Sequence, residues 1–221
     1  MDWAALALSL KLAAATVLVL VPVGLLCGRG LAYGRFFGRP VVEAVLALPL
    51  VLPPTVLGFY LLVVFGGDTA VSRMWLAVFG QSLVFSFEGL LVASVIANLP
   101  FAIQPMQRGF EAVPREVREA AQLCGAGWLR GIWSVELPIA WPGIATGLVL
   151  TFAHTLGEFG VVLMVGGSIP GETRTIAISI YDRVQAFDTA AAGQMSLLLL
   201  GISAAAMAAV YALTNRAGRW R

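Results

Sequence analysis

Residues 119–138 read EAAQLCGAGWLRGIWSVELP and form the middle of the one long charged stretch in an otherwise apolar chain. Pro114, just ahead, suits the first turn of a helix, Glu116 and Glu119 complement that helix's positive N-terminal end, and Gly125 can take the left-handed conformation that stops it. Trp128, Leu129, Ile132 and Trp133 then predict a second short helix with an apolar face, and Leu137-Pro138 opens the next apolar run. Physical reasoning alone leaves two readings open. The hairpin either rests on a membrane surface as an interfacial element or serves as a docking piece for a partner.

Outward from this stretch the chain belongs in a bilayer. Its 221 residues are 59% hydrophobic and only 12% charged, with a mean hydropathy of +0.89, too apolar for an ordinary soluble domain. Runs nearly free of charge cover 3–27, 44–67, 89–107, 137–157 and 189–215. Each is near the roughly 20 helical residues that cross about 30 Å of hydrocarbon. Because the runs are continuously apolar and do not alternate, helices are the spanning form. The expected fold class is therefore an all-α membrane protein with about five transmembrane helices, a single domain over 1–221 with its main polar loop at about 108–137.

Of the fourteen Lys and Arg residues, ten fall in three groups: Arg29, Arg35 and Arg39; Arg108, Arg115, Arg118 and Arg130; Arg216, Arg219 and Arg221. A five-span topology puts all three groups on one side, which the positive-inside rule makes the cytoplasm, with the N-terminus outside and the C-terminus inside. Arg73, Arg174 and Arg183 lie on the other side, and Lys11 snorkels near the outer end of the first span. The formal charge of +2 follows from this loop bias and implies no nucleic-acid partner. Cys27 and Cys124 fall on the reducing side and are expected as free thiols. Asp2 in place of a basic leader, and the length of the first apolar run, argue against a cleaved signal peptide.

Three prolines in six residues, Pro49, Pro53 and Pro54, forbid a regular helix at the start of the second span and predict a kink or a late start. Asn98, Pro100, Gln104 and Pro105 in the third span require partners inside the protein. After the fourth span, 161–165 is too short to cross and reads as an extension of a bent helix or a re-entrant element. Ile176, Ile180, Val184 and Phe187 recur at helical spacing and predict a short amphipathic helix on the outer side. No repeat of the kind that builds inverted-repeat secondary carriers is visible.

The chain lacks the residues for chemistry of its own. Its one lysine, Lys11, sits between Leu10 and Leu12, so no phosphate-cradling Gly-Lys-Ser or Gly-Lys-Thr loop exists. One His and two separated Cys make neither a zinc nor a haem site, and no intramembrane protease constellation is present. The expectation is no catalytic residue, no metal and no cofactor bound by this chain. His154 and Glu158 share a helical face near the outer end of the fourth span. An ionisable group at membrane depth points to a pathway, or else to a local pair in which Glu158 is tied to an arginine or to backbone donors.

The spacing of 119–138 resembles the cytoplasmic coupling loop of bacterial ABC importer permeases: Glu-Ala-Ala, three residues, Gly, nine residues, Ile, one residue, Leu-Pro. Val135 stands where that pattern has Ile, a difference of one methylene. Residues 48–58, with their Leu-Pro-Pro core, and residues 155–182, TLGEFGVVLMVGGSIPGETRTIAISIYD, resemble more narrowly the molybdate, tungstate, sulfate and thiosulfate group. The resemblance implies an ABC importer permease (MetI-like) fold in a bacterial inner membrane. It further implies Glu119, Ala120, Ala121, Gly125, Leu137 and Pro138 as ATPase-coupling residues, and His154, Thr155, Glu158 and Gly160 as pathway or outer-gate candidates. Two copies of the chain would form the pathway, two ATPase subunits would bind ATP and Mg2+ beneath, and an external binding protein would deliver an oxyanion, most simply molybdate. An ATP-independent carrier or channel is the reading from another class, and intramembrane charge is too sparse for its coupling site.

Overall fold

The computed structural model describes residues 1–218, and every regular element among them is helical. Helix α1 (Trp3–Tyr33) starts at Asp2, whose carboxylate accepts from the Ala5 amide at 3.0 Å. It runs 31 residues, past the 3–27 run, and at 1.5 Å per residue is about 46 Å long.

The second span is broken, as its prolines require. Helix α2 (Arg39–Val51) and helix α3 (Pro54–Phe65) meet at an angle of 108°. Leu52, held extended at φ −72° and ψ 136° ahead of Pro53, ends α2, and the two prolines withhold the amides that would continue it. The helix does not start late; it begins at Arg39, before residue 44. A further helix, α4 (Ala70–Phe79), was not foreseen. Thr69 caps it through the Ser72 amide at 3.1 Å, and Gly80 at φ +71° ends it. Its ten residues are too few to cross, and its apolar side, with Val71, Met74, Val78 and Phe79, is exposed.

Helix α5 (Phe87–Glu111) lies beside α1 and parallel to it. Lys11 sits 4.2 Å from the centre of the Phe87 ring at one end, and Tyr33 meets Phe110 edge to face, 6.2 Å between centres, at the other. Asn98 and Pro100 face protein as expected, whereas Gln104 is exposed on the single chain.

The connection to the fourth span differs from the expected pair of short helices. Helix α6 (Arg115–Leu123) is the first of them, with Pro114 as the residue before its first turn. Helix α7 (Trp128–Gly131) passes through one π turn (Ile132–Glu136) directly into helix α8 (Leu137–Gly157), so residues 128–157 form one continuous helix. Leu137 and Pro138 therefore lie inside a helix that has already run for two turns. With α5 extending to Glu111, the stretch between spanning helices is shorter than 108–137. Helices α5 and α8 touch backbone to backbone: a Cβ on Gly143 would stand 2.5 Å from the Pro105 carbonyl and 2.6 Å from the Gly109 Cα. Close approach through small residues is how helices associate where lipid offers no hydrophobic drive.

Helix α9 (Gly160–Gly166) does not cross. It packs on α3, where a Cβ on Gly160 would meet Pro54 at 2.8 Å and one on Gly58 would meet Met164 at 2.8 Å. Helix α10 (Ile176–Gln185) is capped by Thr175 and buries Ile176, Ile178 and Ser179. Ile180 is half-buried, Val184 exposed, and Phe187 lies beyond the helix at φ +59°, so the expected four-residue stripe is not the buried face. Helix α11 (Thr189–Gly218) completes the bundle. Four helices are long and apolar enough to cross a membrane, and the bent α2 and α3 pair brings the count to five where it is taken as one broken span.

Arg29, Arg35, Arg39, Arg108, Arg115 and Arg118 gather at the end of the bundle that carries α6. Arg39 pairs with Glu111 at 3.2 Å, and Arg118 lies over the Tyr33 ring at 3.8 Å. Of the third basic group, Arg216 belongs to α11, and Arg219 and Arg221 lie outside the described residues.

Candidate functional site

Helix α6 projects from the bundle on a short tether. Its C-terminus is closed by a reciprocal pair of backbone bonds, Gly125 N–H to the Gln122 carbonyl at 2.9 Å and Ala126 N–H to the Ala121 carbonyl at 3.0 Å, a closure that needs a left-handed residue at position 125. Gly125 supplies it at φ +80°, as its place in the sequence predicts. Glu119 and Ala120 are exposed on α6 and Ala121 is half-buried. Glu119 accepts from Arg115 Nε at 2.6 Å, one turn back, so its charge is locally paired yet open to solvent.

The foot of this element is held by a contact that sequence reasoning missed. Arg29 on α1 clamps Glu136 with two bonds, Nε to Oε2 at 2.6 Å and Nη2 to Oε1 at 3.1 Å, across 107 residues of sequence. Glu136, at the end of the π turn, is buried. Arg29 also faces the rings of Tyr33 at 5.4 Å and Trp128 at 5.6 Å, and the Tyr33 hydroxyl donates to the Phe110 carbonyl at 3.0 Å. A bidentate guanidinium and carboxylate pair fixes direction as well as distance. The α1 terminus, the end of α5 and the start of the 128–157 helix thus form one braced unit. A signal was available: Glu136 directly precedes an apolar run and Arg29 follows one, and charges at the edge of the hydrocarbon need partners.

Between this brace and α6 lies an open cleft of about 240 Å³, lined by Arg29, Arg118, Ala121, Gln122, Trp128 and Glu136 among others. The surface around it is apolar, since Val117, Leu123, Trp128, Leu129 and Trp133 are all exposed. Of the sequence-predicted group, Glu119, Ala120, Ala121 and Gly125 lie together on α6 and its turn. Leu137 and Pro138 lie apart from them, on the far side of the π turn.

At the other end, His154 and Glu158 are brought together. His154 Nε2 stands 3.7 Å from Glu158 Oε2, its Nδ1 is 3.1 Å from Asn98 Oδ1, and its ring stacks on Phe101 at 4.0 Å. Glu158 is buried and its Oε1 accepts from the Val161 amide at 3.1 Å, capping the first turn of α9. Glu158 is thus held by a backbone donor and lies beside His154, with no arginine partner among the described residues. Thr155 is buried and bonds back to the Thr151 carbonyl at 2.8 Å, and Gly160 seats α9 on α3. These four candidates mark one polar joint between α5, α8 and α9, in which the His154 side chain alone is substantially exposed.

Residues 20–219 match the family described as binding-protein-dependent transport system inner membrane component. The chain belongs to that family. The match takes in α6, the brace at Glu136 and the His154 joint. The chain is 47% identical over 191 residues to the molybdenum transport system permease protein ModB of Azotobacter vinelandii, covering 86% of this chain and 84% of the relative. It is 37% identical over 184 residues to that of Escherichia coli K12, covering 83% and 80%. To the sulfate transport system permease protein CysT of Escherichia coli K12 the identity is 32% over 196 residues, covering 89% and 70%. Among solved structures, a chain of a bacterial alginate ABC transporter, in complex with its alginate pentasaccharide-bound periplasmic protein, aligns over 96% of this chain and 78% of its own at a TM-score of 0.76 and 19% identity. That likeness shows the permease fold. The protein is accordingly a multi-pass membrane permease of the ABC importer class.

Proposed function

We propose that this permease carries molybdate across a bacterial inner membrane. On this reading two copies surround one pathway, two cytoplasmic ATPase subunits bind ATP and Mg2+, and an external binding protein delivers the anion. The observation that carries the cargo assignment is the gradient of identity, 47% to a molybdenum permease against 32% to a sulfate permease over comparable lengths. The chain then has no catalytic role. Energy arrives from the partner through α6, whose exposed apolar rim and rigid, Gly125-closed end suit it to seat in a groove and move as a body. Ala120 and Ala121 keep that contact shallow enough for close approach. The braced Arg29 and Glu136 unit passes the motion to α1, α5 and α8. The α6 end faces the cytoplasm on this reading, because the basic groups gather there.

The experiment is uptake of labelled molybdate and labelled sulfate into cells deleted for their own high-affinity importers and supplied with this permease, its ATPase and its binding protein. Molybdate accumulation that unlabelled tungstate inhibits and sulfate does not is the expected result. Restoration of sulfate uptake alone would assign the chain to the sulfate branch.

A further inference from the structure

Beside the coupling element, at the end of α1, lies a second pocket of about 310 Å³ lined by Ala32, Tyr33, Arg35, Arg115 and Arg118. Three of its five lining residues are arginines. Arg115 spends its Nε on Glu119 at 2.6 Å. Arg35 is exposed and has no hydrogen bond or ion pair among the described residues. Arg118 has no carboxylate partner there either. Its guanidinium carbon stands over the Tyr33 ring, 3.8 Å from the centre, and its Nε is buried without an acceptor. A buried guanidinium N–H left unmatched is costly, and contact with a ring face uses none of the guanidinium's hydrogen-bond donors. Two carboxylates act on these three guanidiniums, Glu119 bonded to Arg115 and Glu116 beside it, and leave a net charge of about +1 in one cup.

We infer that this pocket is a binding site for a tetrahedral phosphate-type oxyanion that bridges Arg35 at the end of α1 to Arg118 and Arg115 on α6. The geometry suits forked guanidinium recognition of phosphate. The favoured source is the headgroup of an acidic phospholipid, because Phe36 and Phe37, next to Arg35, are exposed apolar side chains at the end of a spanning helix, where acyl chains begin. An anion seated here joins α1 to the first turn of α6 and stiffens the coupling element. The inference goes beyond the transport reading and does not depend on the cargo.

The test uses the full-length chain in nanodiscs of phosphatidylcholine with increasing phosphatidylglycerol, lipid retention being read by native mass spectrometry. A parallel arm titrates inorganic phosphate into phosphatidylcholine discs and follows 31P line broadening. Arg35→Gln and Arg118→Gln are each expected to weaken binding at least about tenfold, the effect of losing a hydrogen bond between a charged donor and the anion. Arg130→Gln, which removes a charge from the same end but outside the pocket, should leave binding unchanged. Retention of phosphatidylglycerol lost in Arg35→Gln identifies a headgroup site. Binding of inorganic phosphate alone, with the same dependence on Arg35, identifies a soluble oxyanion. No binding of either probe, or binding equal in Arg35→Gln and Arg130→Gln, overturns the inference. Arg35 is exposed and unpaired, so its variant tests the site even if Arg118→Gln fails to fold.

Discussion

Replacing Gly125 with Val separates backbone conformation from every other property of the turn that closes α6. A Cβ built at Gly125 meets nothing within 4 Å, so the substitution introduces no clash. Its whole cost lies in forcing an L-residue to φ +80°, about 1 to 2 kcal/mol. At 0.59 kcal/mol per RT this is roughly a 5- to 30-fold loss in the population of the closed turn, and a β-branched side chain belongs at the upper end. Should the turn relax, the bonds from Gly125 and Ala126 to Gln122 and Ala121 are lost together and α6 changes direction. Gly127, two residues on, is also open to a Cβ but sits at φ −62°, where Ala costs nothing in strain. Gly125→Asn tolerates the left-handed region and should recover part of the loss. The assay is purification with the ATPase, then binding-protein-stimulated ATP hydrolysis and anion uptake in vesicles. Uptake should fall at least fivefold in Gly125→Val, partly return in Gly125→Asn and stay normal in Gly127→Ala. Membrane insertion should be equal in all three, since no span is touched. Normal assembly and uptake in Gly125→Val would refute the argument that a fixed turn aims α6.

Gly143→Val adds three carbons, the first of them only 2.5 Å from the α5 backbone, which must separate α5 from α8, and it should lower the thermal midpoint of the detergent-purified protein by the equivalent of about 1 to 3 kcal/mol. Gly201→Ala, with open space around it, should not. Arg29→Ala strands the buried Glu136 carboxylate at a cost near the lower end of the 3 to 5 kcal/mol typical of a broken buried pair, because about a quarter of the Arg29 side chain is exposed. Adding Glu136→Gln should restore much of that loss in the same melting assay, and a double variant as unstable as Arg29→Ala would show the pair to be incidental. In a chain freed of the exposed Cys27 and Cys124, a single cysteine at Arg35 should be shielded from an impermeant thiol reagent in intact cells while one at Asp68 is labelled. Labelling at Arg35 would invert the topology.

The sequence by itself determined the fold class, the long apolar helices, the break at Pro53-Pro54 and the left-handed Gly125, because each follows from a local property: hydropathy over a bilayer thickness, an amide that proline lacks, a conformation that glycine alone adopts freely. It also brought His154 and Glu158 together, since four residues on a helix is a fixed distance. It did not show where helix 128–157 begins, because Trp128 to Glu136 is amphipathic enough to read as a separate surface helix. Only the Arg29 clamp on Glu136 and the π turn show that it runs on into the span. Nor did it reveal α4, whose ten residues are too short to register as a crossing. Which residues of α10 are buried depended on Ser9, whose hydroxyl accepts from the Ile176 amide at 2.8 Å, 167 residues away in sequence. The brace beneath α6 and the arginine cup beside it are likewise assembled from α1 and from the 114–136 region. Periodicity and propensity report on neighbours along the chain, so partners a hundred residues apart emerge only when the helices pack.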